Sequence, residues 1–355
     1  MSTFARRAAL ALAFALIVAA CGGGDAEESA GTSAPSETTV APESSTTTEV
    51  ADTTTTTEAE VGPVAPLTGL PDEAGVDRPA LAIKIDNHPL ARPQVGINQA
   101  DVVLEEIVEG NITRFVAIFH SQDSDPVGPV RSARTQDPLL LAHFGGALFA
   151  NSGGNAGSMA AVRNSEDIVD VGQNSLPGAF FRQSGRPGPH NLFSNTSDLF
   201  AGGPDDVGRP PQLFSYLDAE ADPPEGAVEA AGVELQYGGV TVVYEWDDAE
   251  GGWIRTQAGT PHVDGDEVQV APTNVVVMET DYGRSSAAAG SPEAIVTGSG
   301  RALVLTQGTV QEGTWERETP QDVATLTTDS GATMVLTPGR TWIALPRPGG
   351  ATITG

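Results

Sequence analysis

The chain has 355 residues, with 47 acidic against 18 basic side chains and a formal net charge of −29. That balance argues against broad nucleic-acid binding, which neutralises phosphates with Lys and Arg. Lys84 is the sole lysine, so no Walker-type phosphate loop can be present, and one cysteine, Cys21, leaves neither an internal disulfide framework nor a multi-cysteine zinc site.

Residues 1–20 read as a signal peptide. Arg6 and Arg7 precede an apolar run over residues 8–20, too short for a membrane span. The run ends Val18-Ala19-Ala20-Cys21, which resembles the lipobox of bacterial lipoproteins. That resemblance implies lipidation of Cys21, which becomes the mature N-terminus, and a body held at the outer side of a cell membrane. Two acyl chains give stable anchoring where one is marginal. Residues 22–62 are rich in Thr, Ser, Ala, Pro and Glu and contain no base. Such a segment buries too little apolar surface to offset ordering entropy, so a disordered tether is predicted, with a mean span of roughly 35 Å.

An N-terminal α/β domain is predicted over residues 64–217. Leu81 to Asp86 alternates as a strand, with Leu81, Ile83 and Ile85 inward and Lys84 and Asp86 toward solvent. Within residues 98–134, two apolar strands read as a β-hairpin closed by Gly110-Asn111 as a two-residue loop. That loop sets Glu109 opposite Ile112, Ile107 opposite Arg114 and Asp101 opposite His120. Arg114 then shares a face with Glu105 and Glu109, either as a structural ion-pair cluster or as the floor of a charged site. Ser132 is the expected N-cap of a helix from Ala133 to Phe144. Arg131 and Arg134 would flank its start, where cations oppose the helix dipole. A compensating partner is expected: Glu105 or Glu106, or a bound anion. Ala147 to Ala150 reads as a buried strand, residues 151–155 as a glycine-rich loop beginning with Asn151, and residues 156–163 as a helix. Residues 187–191 form a rigid loop presenting His190 and Asn191.

Residues 218–230 are an acidic, proline-containing linker. A mainly β C-terminal domain is predicted over 231–355, with candidate strands at 240–246, 253–257, 274–279, 294–297, 302–307, 314–317, 334–336 and 341–345. Their turn-separated spacing suggests a sandwich or barrel. Trp246, Trp253, Trp315 and Trp342 are expected in its core. The fold class is therefore α+β, an α/β N-terminal domain with a central hairpin followed by a mainly β domain.

Several short runs carry a family resemblance. They include Asp86-Asn87-His88-Pro89, Arg92-Pro93-Gln94, Thr113-Arg114-Phe115, residues 128–134 and Pro189-His190-Asn191. Further along come Gly298-Ser299-Gly300 and Pro338-Gly339-Arg340-Thr341-Trp342. Together they resemble the YerB-type lipoprotein family. The resemblance covers nearly everything after the tether and implies a two-part extracytoplasmic protein, but no activity.

Two functional expectations follow. One is a membrane-anchored lipoprotein of the cell envelope with a binding or scaffold role and an anion-binding arginine cluster. Its partners would be the membrane, through Cys21, and an anionic envelope ligand or another protein. The other is an enzyme, a transferase or hydrolase, acting on a phosphorylated or acidic envelope precursor. Arg114, Arg131 and Arg134, with Asn151 and Asn191, would then bind the ligand. Asp101, His120 and His190 are the candidate catalytic groups, supplying a base and proton transfer. By analogy alone, the set is similar to envelope phosphotransferases that use arginines and aspartates around a lipid pyrophosphate. Neither Gly-x-Ser-x-Gly nor His-Glu-x-x-His occurs. The sequence assigns no metal ligand and names no cofactor.

Overall fold

Strands form where β-branched and aromatic residues cluster: β1 (Leu81–Asp86), β2 (Val102–Ile107) and β3 (Thr113–Phe119). The computed structural model describes residues 63–218 and 221–355. The expected signal peptide, Cys21 and tether lie outside the described residues. β3 runs antiparallel between β1 and β2. The hairpin register departs from expectation by one residue, with Glu106 opposite Arg114 and Ile107 opposite Thr113. The loop holds three residues, Glu109-Gly110-Asn111, closed by the Val108 amide donating to the Ile112 carbonyl at 2.9 Å. Gly110 and Asn111 both take left-handed backbone, with φ of 76° and 55°. Because side chains alternate with period two, this one-residue slip moves Arg114 to the Glu106 face, away from Glu105.

β4 (Ala147–Ala150) pairs parallel with β1, and β5 (Ile168–Asp170) with β4. The C-terminal half supplies β6 (Gly232–Gln236), β7 (Thr241–Asp247), β8 (Gly252–Gln257), β9 (Asn274–Met278), β10 (Gly298–Thr306), β11 (Thr309–Arg317), β12 (Thr325–Thr328), β13 (Thr341–Ala344) and β14 (Ala351–Thr354). These strands divide between two sheets. β9 to β13 extend the N-terminal sheet, in the order β12-β11-β10-β9-β13-β2-β3-β1-β4-β5, joined at the parallel β13–β2 pair. β6, β7, β8 and β14 belong to a second, antiparallel sheet. It packs on one face of the first, where Val233, Tyr244 and Trp253 share a core with Phe115, Val277, Leu305 and Trp342. The opposite face buries Ala82, Leu104, Val116, Val304 and Ile343 under Leu140, Phe144 and Met159. Trp253, Trp315 and Trp342 are core residues as expected, whereas Trp246 is half-buried.

Covering both faces changes the fate of the charges on β1. Lys84 does not reach solvent as the alternation predicted. Its ammonium is fully buried, paired with Glu106 and, at 2.6 Å, with Asp137. A charge removed from water in this way requires opposite charges within reach.

The helix expected over 133–144 also differs. α1 spans Asp137–Leu141 and passes into a 3-10 turn over Ala142–Phe144. Residues 131–133 are extended. The Arg131 amide donates to Lys84 O at 2.8 Å, the Ser152 amide to Arg131 O at 3.0 Å, and the Ala133 amide to Gly153 O at 2.8 Å. Backbone groups that a helix would have used are thus bonded between β1 and the loop after β4. Ser132 caps no helix, and Arg131 lies six residues before α1, not at its first turn. α2 (Ala156–Asn164) forms close to expectation, its start capped by Asn155, which accepts from the Ser158 amide at 2.8 Å. Among the described residues no helix is long and apolar enough to cross a membrane.

Candidate functional site

The carboxyl ends of β1 and β2 and the beginning of β3 meet at one rim of the main sheet. In open α/β sheets this rim commonly receives ligands. Asp86 pairs in register with Arg114, and Arg114 with Glu106, so a charge ladder crosses β1, β3 and β2 on one face. The extended segment beside β1 brings in Arg131, whose Nε stands 3.0 Å from Asp86 Oδ2. That distance pairs the charges, although Nε is not aligned for a hydrogen bond. His190 Nδ1 lies 2.7 Å from the same carboxylate oxygen, and the His88 ring stacks on His190 with centroids 4.5 Å apart. The His88 amide donates to Asp86 Oδ1 at 3.1 Å. Asp86 is therefore a buried hub that orients an imidazole and a guanidinium. Asp86 was expected to point into solvent and no role was expected of His88; their short run Asp86-Asn87-His88-Pro89 was the available signal.

Arg134 completes the group. Its Nη2 is 2.6 Å from Glu109 Oε2, and Glu109 also accepts from Ser291 Oγ at 2.5 Å. Burial pushes the Glu109 carboxyl up, but the bonds from Arg134 and Ser291 outweigh it and hold the group at about 2. The partners expected for Arg131 and Arg134, Glu105 or Glu106, are engaged elsewhere. Arg114 is the least satisfied member. Its Nε is buried without a hydrogen-bond partner, and Nη1 reaches Ser132 O only at 3.4 Å. Burial draws Arg114 down to about 10, and Arg134 and Arg131 push the same way against Asp86 and Glu109. Three guanidinium groups thus share one rim with the carboxylates of Asp86 and Glu109.

The other candidates fall elsewhere. Asp101 sits before β2, where Oδ2 accepts from the His120 and Ser121 amides. Burial raises its carboxyl and these bonds oppose the rise. His120 is fully buried, with neither ring nitrogen hydrogen-bonded, and burial lowers it to about 4. Both stand at the far end of β3, six residues or about 20 Å of extended chain from Arg114. The structure does not bring them to the arginine group. Asn151 is buried behind the rim, donating to Asp170 Oδ1 and accepting from the Gly153 amide, both at 2.9 Å. Asn191 accepts from Arg182 Nη1 at 2.7 Å.

The opposite face of the same strands holds a closed counterpart. Glu105 accepts two bonds from Arg255 Nη2, at 2.8 and 2.9 Å, plus bonds from Thr113 Oγ1 at 2.7 Å and Trp342 Nε1 at 3.1 Å. Arg255 is fully buried and stacks over Trp342 at 4.8 Å. Burial alone would lower Arg255, but Glu105 and Tyr244 outweigh it, so its affinity for the proton rises.

Comparison with known proteins accords with this architecture. Family models described as the N-terminal and C-terminal domains of a protein of unknown function, DUF3048, match residues 67–207 and 233–343. The chain is 31% identical over 291 residues to "Putative lipoprotein YerB" of Bacillus subtilis (strain 168), covering 79% of this chain and 85% of the relative. The chain belongs to the YerB family. A crystal structure of the YerB protein from Bacillus subtilis superposes with a TM-score of 0.72 at 27% identity, over 82% of this chain and 99% of that one. The two regions matched by the YerB-family models meet within one sheet, at the β2–β13 pair.

Proposed function

We propose that this YerB-family chain is a lipid-anchored, extracytoplasmic protein of the cell envelope that binds an anionic, phosphate-bearing ligand at the Asp86 rim. The lipobox-like run at Cys21 and the kinship to a protein named as a lipoprotein support the anchoring. One observation carries the binding role: Arg114 is a nearly buried guanidinium with an unpartnered Nε, in the company of Arg131 and Arg134. Arg131 touches the shared carboxylate through Nε and retains its terminal nitrogens for a ligand. His190 adds a donor whose orientation Asp86 sets.

The test is calorimetric titration of the full chain with inorganic phosphate and pyrophosphate. Saturable binding that Arg131→Ala abolishes, with the fold intact by circular dichroism, supports the reading. Equal binding by the wild-type and Arg131→Ala chains overturns it.

A second reading, a transferase or hydrolase acting on a phosphorylated envelope precursor, draws on the Asp86–His190 pair. A carboxylate on Nδ1 fixes the imidazole so that Nε2 is the nitrogen available for proton transfer, as in general acid–base catalysis. Turnover of a pyrophosphate-linked substrate that falls about 10²–10⁴-fold in His190→Gln would favour it.

A further inference from the structure

A cavity of about 210 Å³ opens on the second-sheet side of the main sheet, at the seam between the two regions matched by the family models. Arg92 and Pro93, from the loop after β1, form one wall. Thr260, Pro261 and Val263, from the segment after β8, form the other. Seams of this kind commonly hold ligands. The volume is several times the ~30 Å³ that one water takes up. It falls short of the ~300–1,000 Å³ of a drug-sized site, so it suits a small molecule or the end of a chain.

Asn87 separates this cavity from the Asp86 rim. Successive side chains leave a strand on opposite faces. One residue past β1, the Asn87 amide therefore turns toward the second sheet, donating to Thr113 Oγ1 at 2.7 Å and to Gln257 Oε1 at 3.1 Å. Its Oδ1 accepts from Arg92 Nε, and its backbone carbonyl accepts from Arg92 Nη2, both at 3.0 Å. Two bonds along one edge thus fix the guanidinium plane. Arg186 braces the loop itself, donating to Ala91 O at 2.9 Å and to Pro93 O at 2.7 Å. Arg92 Nη1 donates to no described residue and, unlike the Gln257 Nε2 behind it, is open to solvent.

Arg92 also lacks a counter-charge. Among the described residues no carboxylate lies within ion-pair distance of it. Glu105 and Asp86 act on it only from farther away, and they are paired with Arg255 and Arg131. Burial lowers its affinity for the proton, and the Arg255 cation pushes the same way. A half-buried guanidinium held in one orientation, with a free donor on a cavity wall, is prepared to receive an anion. One guanidinium matches one negative charge. The two pyrrolidine rings and Val263 match a short apolar body.

We propose that this cavity binds a small monocarboxylate with an apolar body, its carboxylate on Arg92 Nη1 and its body against Pro93, Pro261 and Val263. A free carboxylic acid and the carboxyl terminus of a peptide share that chemistry.

The experiment is calorimetric titration of the full chain with hexanoate, for a free acid, and N-acetyl-leucine, for a peptide terminus. N-acetyl-leucinamide is the uncharged control. The expected result is 1:1 saturable binding of hexanoate, N-acetyl-leucine or both, the stronger arm identifying the source, with the amide at least tenfold weaker. Arg92→Gln is expected to weaken the acids tenfold or more and leave the amide unchanged. Thr260→Trp fills the cavity from an exposed position without touching the Arg92 loop, and it is expected to block the acids as well. Arg131→Ala is expected to leave this binding intact, so the two sites fail or survive separately. Absence of saturable binding by both acids would overturn the proposal, as would equal binding of acid and amide. So would an Arg92→Gln or Thr260→Trp chain, folded by its thermal melt, that binds the acids as tightly as the wild type.

Discussion

Glu105 and Glu106 are neighbours on β2, yet they belong to two different electrostatic regimes. Glu105 faces the second sheet, where Arg255, Thr113 and Trp342 occupy both of its oxygens and solvent is excluded. Glu106 faces α1 and takes part in a ladder that continues through Arg114 to Asp86 and reaches the rim. One face is a saturated ion pair that ties the two family-model regions together. The other has a guanidinium whose Nε lacks a hydrogen-bond partner and an imidazole oriented by Asp86. The difference teaches that saturation, and not the mere presence of arginines and carboxylates, separates the structural charge cluster from the one proposed to bind.

The comparison breaks most visibly at Arg255. Arg255→Met leaves Glu105 buried without its cation, and a loss of about 3–5 kcal/mol is expected in urea denaturation. A stability equal to the wild type would mean that the closed face is no clamp.

On the ladder face, pH is the probe. Burial pushes Glu106 up to about 7, with Asp137 adding to the rise and Lys84 opposing it. Since its folded value lies above the ordinary 4.5, the stability it contributes is fully present below about 4.5 and is lost as pH rises through about 7. Melting temperatures are expected to fall across that window, and Glu106→Gln is expected to flatten the decline. An unchanged slope in the variant would assign the pH dependence to other groups.

Arg131→Ala sharpens the same contrast from the binding side. Loss of phosphate affinity by at least tenfold, about 1.4 kcal/mol, is expected while stability moves by about 1 kcal/mol or less. A variant that unfolds outright would make Arg131 structural, like Arg255.

The smallest effect is expected at Arg134. Its pair with Glu109 is partly open to water, so Arg134→Ala should cost no more than about 1 kcal/mol. The Glu109 carboxyl is held at about 2, below its ordinary 4.5. Its contribution is therefore present above about 4.5 and lost as pH falls toward 2. The variant should lose stability near neutral pH and show a weaker dependence on acid, as read by thermal melts from pH 2 to 5.

The sequence by itself determined what depends on near neighbours. Alternation and β-branching located β1, β2 and β3, a short apolar run located β4, and the glycine-rich loop after it marked the start of α2. Tertiary structure decided the rest. The three-residue turn set the hairpin register, and a second covering layer turned Lys84 from a solvent-facing residue into a buried one. Backbone bonds to β1 and the loop after β4 unwound the helix expected at Ser132. Asp86 and His190 are 104 residues apart, and Glu105 and Arg255 are 150 apart. Periodicity and capping are local properties of a chain, whereas the partner of a buried charge is chosen by which strands end at the same rim, and no local pattern encodes that.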